Sequence, residues 1–526
     1  MSKQLQSQTG LDLVEPTQMV VTSQPLAVQA GLKIMQQGGN AVDAALAAAI
    51  TLTVVEPTGN GLGSDAFALV WDGHELHGLN GSGRSPATWE PERFAGREEM
   101  PNHGWDSVTV PGAVSAWVTL HAKFGTMEFA ELFKPAIGHA HDGFRVTEHI
   151  RQRWQSAAEP LAGYQEFSRL YLPEGKPVSH GELFRNPDLG RSLDLIAKTR
   201  GEDFYRGALA QMMVDCAANA GGALSRADLA THGSEWVRPL TIPYQGYDVY
   251  EVGPNSQGVA ALIALGILDL LNVGQYECDS VESVHLQVEA MKLAFGDVMR
   301  HVSDPETMRI DANQFLEPHY LAKRAKQISL DKAQFPHSGI PESPGTVYLS
   351  TADQHGMMVS FIQSNYLGFG SGIVVPGTGI ALNNRASGFT LEQDHPNQVA
   401  GGKRPFHTII PGFIMQQGVP FMSFGVMGAH MQAQGHVQMA VRTINYHQDP
   451  QSASDAPRWQ LLPDSSLALE QGFDESLIKQ LESRGHQIVR DAETHTFGGA
   501  QLIRKTDRGY CGGSDHRKDG YVGGNE

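Results

Sequence analysis

Hydrophobic positions alternate between strand and helix periods in blocks along the chain. Met19 to Ser23 is a short apolar strand, and Pro25 to Gln37 follows at helical spacing, with Leu26, Ala30, Ile34 and Met35 on one side and Gly38-Gly39 as the stop. Ala41 to Val55 is apolar nearly all round apart from Asp43, which predicts a helix buried on more than one face. A strand over Ala66 to Trp71 and a partner over His74 to Leu79 come next, then helices over Ala113 to Phe124, Phe129 to Gly143, Glu148 to Ala157 and Leu189 to Thr199. Pro243 to Glu251 reads as one strand, and Gly258 to Leu271 and Ser280 to Val302 as long helices. Beyond residue 346 strands dominate: Val347 to Thr351, Met357 to Ser364, Gly372 to Val375, Phe413 to Gln416 and Phe421 to Phe424. Helices return at Gln432 to Tyr446 and Glu475 to Arg484, with closing strands at Gln487 to Arg490 and Ala500 to Arg504. Blocks of this kind, without strict alternation, predict a layered α+β fold.

The two halves meet at a Pro-punctuated connector, Phe335 to Pro344, in which a strand cannot run well because proline lacks the amide donor. Thr346 opens the next unit, a hairpin that turns at Asp353-Gln354-His355-Gly356. A threonine at the start of a strand has an ordinary structural explanation. The chemical alternative is a chain cut between Gly345 and Thr346, which would give Thr346 a hydroxyl nucleophile and a free α-amine. Such an amine titrates near ~8, so it can serve as the base that the hydroxyl needs.

Composition narrows the classes. The 526 residues are 41% hydrophobic, ample for a sizeable core, and the net charge of -18 disfavours nucleic-acid and anionic-membrane surfaces. Small solutes are the expected partners. Cys216, Cys278 and Cys511 are far apart and odd in number, as reduced thiols would be. The segment Met1 to Gln18 lacks the basic-then-apolar pattern of a secretory signal, and Ala44 to Val55 is too short to span a bilayer, so a cytoplasmic protein is expected.

The Gly-rich Thr58 to Ser64 loop lies between a helix and a strand with no GK[ST] after it, so close backbone packing accounts for it better than phosphate binding. Arg84, on the Asn80 to Pro86 Gly/Ser loop, is either a carboxylate ligand or an ordinary surface arginine. HExxH, CxxC and GxSxG are absent, and His430 and His436 lie on poorly matched helix faces for a metal. Neither a metal nor an organic cofactor is expected.

Several motifs in order then carry a resemblance: GGNAVDAALAAAITLTVVEPTGNGLG from Gly38, Val110-Pro111-Gly112-Ala113-Val114, Asn383-Asn384, Lys403-Arg404-Pro405, Asp455-Ala456-Pro457-Arg458 and GGSDHRKDGYVGG near the end. From about Met19 to Gly524 the chain resembles the γ-glutamyltranspeptidase family of N-terminal nucleophile hydrolases. The resemblance implies a four-layer αββα sandwich, made as one proenzyme and cut before Thr346 into segments 1–345 and 346–526 that stay associated as one structural domain. It implies an amidohydrolase or acyltransferase in which Thr346 forms an acyl-enzyme on a γ-glutamyl or related carboxylate-bearing amide, and passes the acyl group to water or an amine. The family's oxyanion donors, backbone amides of a Gly-Gly pair, match Gly428 and Ala429, and its assisting hydroxyl matches Ser364.

The substrate pocket departs from the family pattern. After Asn383-Asn384, Arg385 stands where an acceptor for the substrate ammonium is expected and Gly388 where an Asp is, and an arginine accepts no hydrogen bond. His407-Thr408 replace two carboxylate-binding serines, and the family's arginine has only Arg84 nearby. Asn384, Arg385, His407, Thr408 and Arg84 are thus the expected substrate contacts. Two arginines favour an acyl group bearing a carboxylate in place of the amine, such as a glutaryl or oxamate-like monoamide. A non-catalytic binding protein for an anionic metabolite is the reading from another class, and self-cleavage separates the two.

Overall fold

The computed structural model describes residues 15–334, 345–490 and 492–525. The connector Phe335 to Pro344 and most of the Met1 to Gln18 segment lie outside the described residues.

The strands that build the two large sheets are β1 (Gln18–Thr22), β2 (Asp65–Trp71), β3 (Leu76–Gly81), β4 (Glu235–Val237), β5 (Leu240–Tyr244), β6 (Tyr247–Glu251) and β7 (Val347–Ala352). They continue with β8 (Met358–Ser364), β9 (Gly412–Gln416), β10 (Val419–Met427), β11 (Gly499–Lys505), β12 (Tyr510–Ser514) and β13 (Tyr521–Asn525). One sheet has the order β13-β1-β7-β8-β2-β3-β4 and the other β12-β11-β10-β9-β6-β5, all neighbours antiparallel.

Successive strand residues point to opposite faces, and both faces of each sheet are apolar. Met19, Val21, Phe67, Leu69 and Tyr348 of the first sheet pack on Phe413, Met415, Met427 and Ile503 of the second. Their neighbours Val20, Ala66, Ala68, Val70, Leu349 and Phe361 turn the other way, under α1 (Pro25–Gln36), α2 (Ala41–Val55) and α3 (Ala113–Phe124). On the far side Ile242, Val249, Ile414, Phe424 and Leu502 meet α4 (Gly258–Leu270), α5 (Val281–His301) and α6 (Met431–Ala440). Helix, sheet, sheet, helix is the expected four-layer sandwich. Helix α2 is buried at every position, as its all-round apolarity requires.

Both sheets mix strands from before and after residue 346, so the two segments cannot form separate cores. Among the described residues no helix is long and apolar enough to cross a membrane.

Three expectations are corrected and two strands are added. The strand expected over Pro243 to Glu251 is the hairpin β5-β6, turning through Gln245 and Gly246 with φ of 51° and 80°. Two positive φ values match strand twist in a two-residue turn, and glycine carries one of them without steric cost. The helix expected over Phe129 to Gly143 divides into a 3-10 turn (Phe129–Phe133) and a helix (Lys134–Asp142), because Pro135 sits in the first turn of the second piece. Helix α6 runs on from Ala440 into a wider π turn (Val441–Asn445) rather than staying α-helical to Tyr446. Strands β12 and β13 were unexpected, since glycines 512, 513, 523 and 524 lower strand propensity; at Gly523 a Cβ would come within 2.6 Å of both Leu32 and Val28 of α1, so tertiary packing selects glycine there.

Candidate active site

The β7-β8 hairpin sets the site by register. Val347 pairs with Gln363, so the next step brings Thr346 opposite Ser364, and Ser364 in turn pairs with Asp65 of β2. Thr346 is buried, with its Oγ1 2.7 Å from the Gly345 carbonyl oxygen and 3.2 Å from Ser364 Oγ. Ser364 Oγ donates to the same carbonyl at 2.5 Å and accepts from the Tyr366 amide at 2.8 Å. Gln432 of α6 donates to Thr346 Oγ1 at 3.4 Å, its own orientation held by the Ile410 amide at 3.0 Å. Two hydroxyls thus converge on the carbonyl of the bond that precedes Thr346.

The Gly-rich loop is explained by close approach. At Gly63 a Cβ would lie 2.2 Å from the Ala381 carbonyl, and the Gly63 carbonyl accepts from the Asn383 amide and side chain. The loop is a backbone brace for the segment that carries Ser364 and Asn383.

Thr346, Gly345, Gly428 and His430 line a cavity of about 370 Å³. Gly428 adopts φ 121° and Ala429 φ 50° where β10 turns into α6, and Gln257 Nε2 holds the Ala429 carbonyl at 2.8 Å. Alanine therefore occupies a left-handed position that glycine would take more easily.

Behind this wall Arg385 is fully buried. Its Nη1 donates to Thr408 Oγ1 at 3.0 Å and its guanidinium stacks 4.3 Å from the Tyr366 ring, whereas Nε and Nη2 have no hydrogen-bond partner among the described residues. Burial pulls its pKa down from 12.5 to about 10. Burial and the Arg385 charge also hold His430 down at about 3, so the ring is neutral. His407 does not face this guanidinium through a hydrogen bond. Its Nε2 is 3.1 Å from Asp65 Oδ2, and Asp65 accepts from the Gly83 and Gly112 amides. Burial drives the Asp65 carboxyl up to about 7 against the opposing pull of Arg385, and holds His407 well below its usual range. Asn384 bridges the Leu367 amide and the Asn102 carbonyl.

The expected substrate contacts therefore divide. Arg385 and Thr408 come together, with the Arg385 charge acting on His430 of the cavity wall, Asn384 and His407 brace the surrounding loops, and Arg84 goes elsewhere. Arg84 is 30% exposed and ion-paired with Asp304 at 3.0 Å, Glu306 at 3.5 Å and Glu235 at 3.7 Å. Its donors meet these three carboxylates, and it is not among the residues that line the cavity at Thr346. Asp65, Gln432, Arg153 and Lys518 were not found from sequence; Asp65 directly after the Gly-rich loop was the one local signal.

His436 is a packing residue, with Nδ1 on Glu251 at 2.6 Å and Nε2 accepting from the Val426 amide. Among the described residues His285, Glu289 and His486 have metal-like proximity, but the two imidazoles bond each other at 2.8 Å and Glu289 holds Lys292 and the Gln334 amide.

A family model described as Gamma-glutamyltranspeptidase matches residues 27–524. The chain belongs to the gamma-glutamyltranspeptidase family. It is accordingly an amidohydrolase of the N-terminal nucleophile type, an enzyme of amide hydrolysis or acyl transfer. Within the family it is 35% identical to the glutathione hydrolase-like YwrD proenzyme of Bacillus subtilis, over 96% of this chain and 97% of that one. It is 34% identical to the oxamate amidohydrolase proenzyme of Klebsiella pneumoniae, over 96% and 98%. The crystal structure of a cephalosporin acylase from Bacillus halodurans superposes with a TM-score of 0.93 at 43% identity, covering 100% of both chains. These gamma-glutamyltranspeptidase relatives carry names for different acyl groups, so membership leaves the substrate open.

Proposed function

We propose that this chain is an autoprocessing threonine amidohydrolase whose acyl substrates bear a carboxylate. The observation that carries the reading is the convergence of the Thr346 and Ser364 hydroxyls on the Gly345 carbonyl. In processing, Thr346 Oγ1 bonds to the Gly345 carbonyl carbon, the C–N bond breaks, and the hydroxyl proton ends on the Thr346 nitrogen. Water then hydrolyses the ester, leaving segments 1–345 and 346–526 associated through their shared sheets.

In turnover the freed amine takes the proton of Thr346 Oγ1 as it attacks a substrate amide, then delivers it to the leaving amine. The backbone amides of Gly428 and Ala429 stabilise the oxyanion, and water or an amine takes the acyl group from the ester. A buried guanidinium with two unused donors supports a carboxylate on the acyl group. The same cation opposes the ammonium of a γ-glutamyl group. A glutaryl or oxamate-like monoamide accommodates both facts, and oxamate is the substrate in the name of one relative.

The test is intact mass after prolonged incubation, with N-terminal sequencing of the small fragment and assay of glutaryl, oxamate and γ-glutamyl amides. A fragment starting Thr346-Val347-Tyr348 is expected, and Thr346→Ala should leave one uncleaved, inactive chain. Activity in that variant would overturn the mechanism.

A further inference from the structure

Gln432 is fully buried in the first turn of α6, where an amide without partners would be costly, and both ends of its side chain are engaged. The Ile410 N–H can only donate, so the side-chain atom 3.0 Å from it is Oε1. That contact turns the NH2 group toward Thr346 Oγ1, 3.4 Å away. Of the other polar groups around this oxygen, the Gly345 carbonyl is an acceptor. The Ser364 hydroxyl, 3.2 Å away, points its proton at the same carbonyl and accepts from the Tyr366 amide. Among the described residues the Gln432 amide is thus the side-chain donor that remains for Thr346 Oγ1. Attack on the Gly345 carbonyl, as derived above, gives this donor no task.

We propose that Gln432 is a further catalytic residue, the donor that stabilises Thr346 Oγ1 as it leaves the acyl ester, in processing and in turnover alike. This rests on Thr346 as the nucleophile. In ester hydrolysis a water oxygen bonds to the acyl carbon, and the Thr346 α-amine takes a proton from that water. The bond from the acyl carbon to Oγ1 then breaks with its electron pair on Oγ1, which receives the proton from the α-ammonium. The bridging oxygen of an ester is a weak acceptor and a departing alkoxide a strong one, so the bond from Gln432 strengthens as the ester breaks. An interaction that is stronger in the transition state than in the ground state accelerates the step. Acylation runs the other way, from a good hydroxyl acceptor to a weak ester acceptor, and gains nothing from the same donor. A separation of 3.4 Å in the uncleaved chain fits this role, since catalytic hydrogen bonds are often long at rest and shorten in the reacting complex.

The experiment follows cleavage of the freshly purified proenzyme on denaturing gels, with and without excess hydroxylamine, for wild type, Gln432→Met and Gln432→Asn. Methionine removes the donor at similar length. Asparagine keeps an amide for Ile410 but is one methylene too short to serve both partners, so it gives the reading if methionine unfolds the chain. Each variant is expected to slow cleavage by about tenfold or more at the ester stage. Hydroxylamine, a stronger nucleophile than water, should return most of that loss. On the processed enzyme with glutaryl-4-nitroanilide, kcat/KM, which reports acylation, should change less than about twofold, while the acyl-enzyme fraction seen by intact mass rises. Slowing that hydroxylamine does not relieve, or an unchanged rate of cleavage, would overturn the role of Gln432. A wild type that never cleaves would count against Thr346 as the nucleophile and remove this inference with it. Failure of the glutaryl anilide alone would count against the acyl reading, and the proenzyme, which supplies its own ester, would still decide this one.

Discussion

Replacing Arg385 by methionine should make the protein more stable while removing its preference for carboxylate-bearing acyl groups. Burial lowers the guanidinium from 12.5 to about 10, which at ~1.36 kcal/mol per pH unit corresponds to ~3 to 4 kcal/mol against the folded state. Because the folded value lies below the unfolded one, the cost is full at all pH values below the folded value and fades only as pH rises toward the unfolded one, so it is undiminished at neutrality. Methionine keeps length and contact with the Tyr366 ring but loses the bond to Thr408, worth ~1.5 kcal/mol. The net gain is ~2 kcal/mol. With an unfolding entropy of about 2.1 cal/mol/K per residue, a chain of this length changes by about 1.1 kcal/mol/K, so Tm should rise by about 2 °C. Calorimetry of the processed enzyme, with and without glutarate at saturation, reads both effects. Glutarate at about 100 times its Kd adds ~2.7 kcal/mol to wild type and nothing to the variant. A lowered Tm in the variant, or equal stabilisation of both proteins by glutarate, would refute the account of Arg385 as a cation held ready for a carboxylate.

Ser364→Ala removes a donor from the Gly345 carbonyl where negative charge develops, and cleavage should slow by about 10²- to 10³-fold, with Ser364→Thr restoring it; a time course of fragment appearance on denaturing gels measures this, and an unchanged rate would remove Ser364 from the step. Asp515, accepting from the Ala500 amide and ion-paired with Arg458 and Arg517, is held down at about 2 chiefly by those cations against its burial. Its depressed value contributes ~2 to 3 kcal/mol that is present above about pH 4 and lost as pH falls toward 2. Asp515→Asn leaves two buried guanidinium groups without that charge, costing ~3 to 5 kcal/mol and about 3 to 5 °C in Tm at pH 7. A Tm unchanged at pH 7 would contradict the reading of this motif as an ionic knot.

The order and faces of the elements follow from local pattern. The all-round apolarity of Ala41 to Val55 suffices to bury that helix, and Thr346 with its hairpin is legible because alternation and a turn signal are properties of adjacent residues. The family motifs likewise point to Gly345, Thr346, Ser364 and the Gly428-Ala429 turn without knowledge of their distances. Charged and polar partners behave differently. Arg84 and Arg385 look equivalent as residue types, yet one meets Asp304, Glu306 and Glu235 while the other is enclosed with two donors unused. Asp65 meets Ser364 only through sheet register, and Arg153 meets Lys518 only because distant segments fold onto one cavity wall. Hydrophobic burial is non-directional and is set by a periodic stripe, so it can be read along the chain. Whether a charge is neutralised or left to bind a substrate depends on the groups within a few ångströms of it, and only the tertiary structure decides which those are.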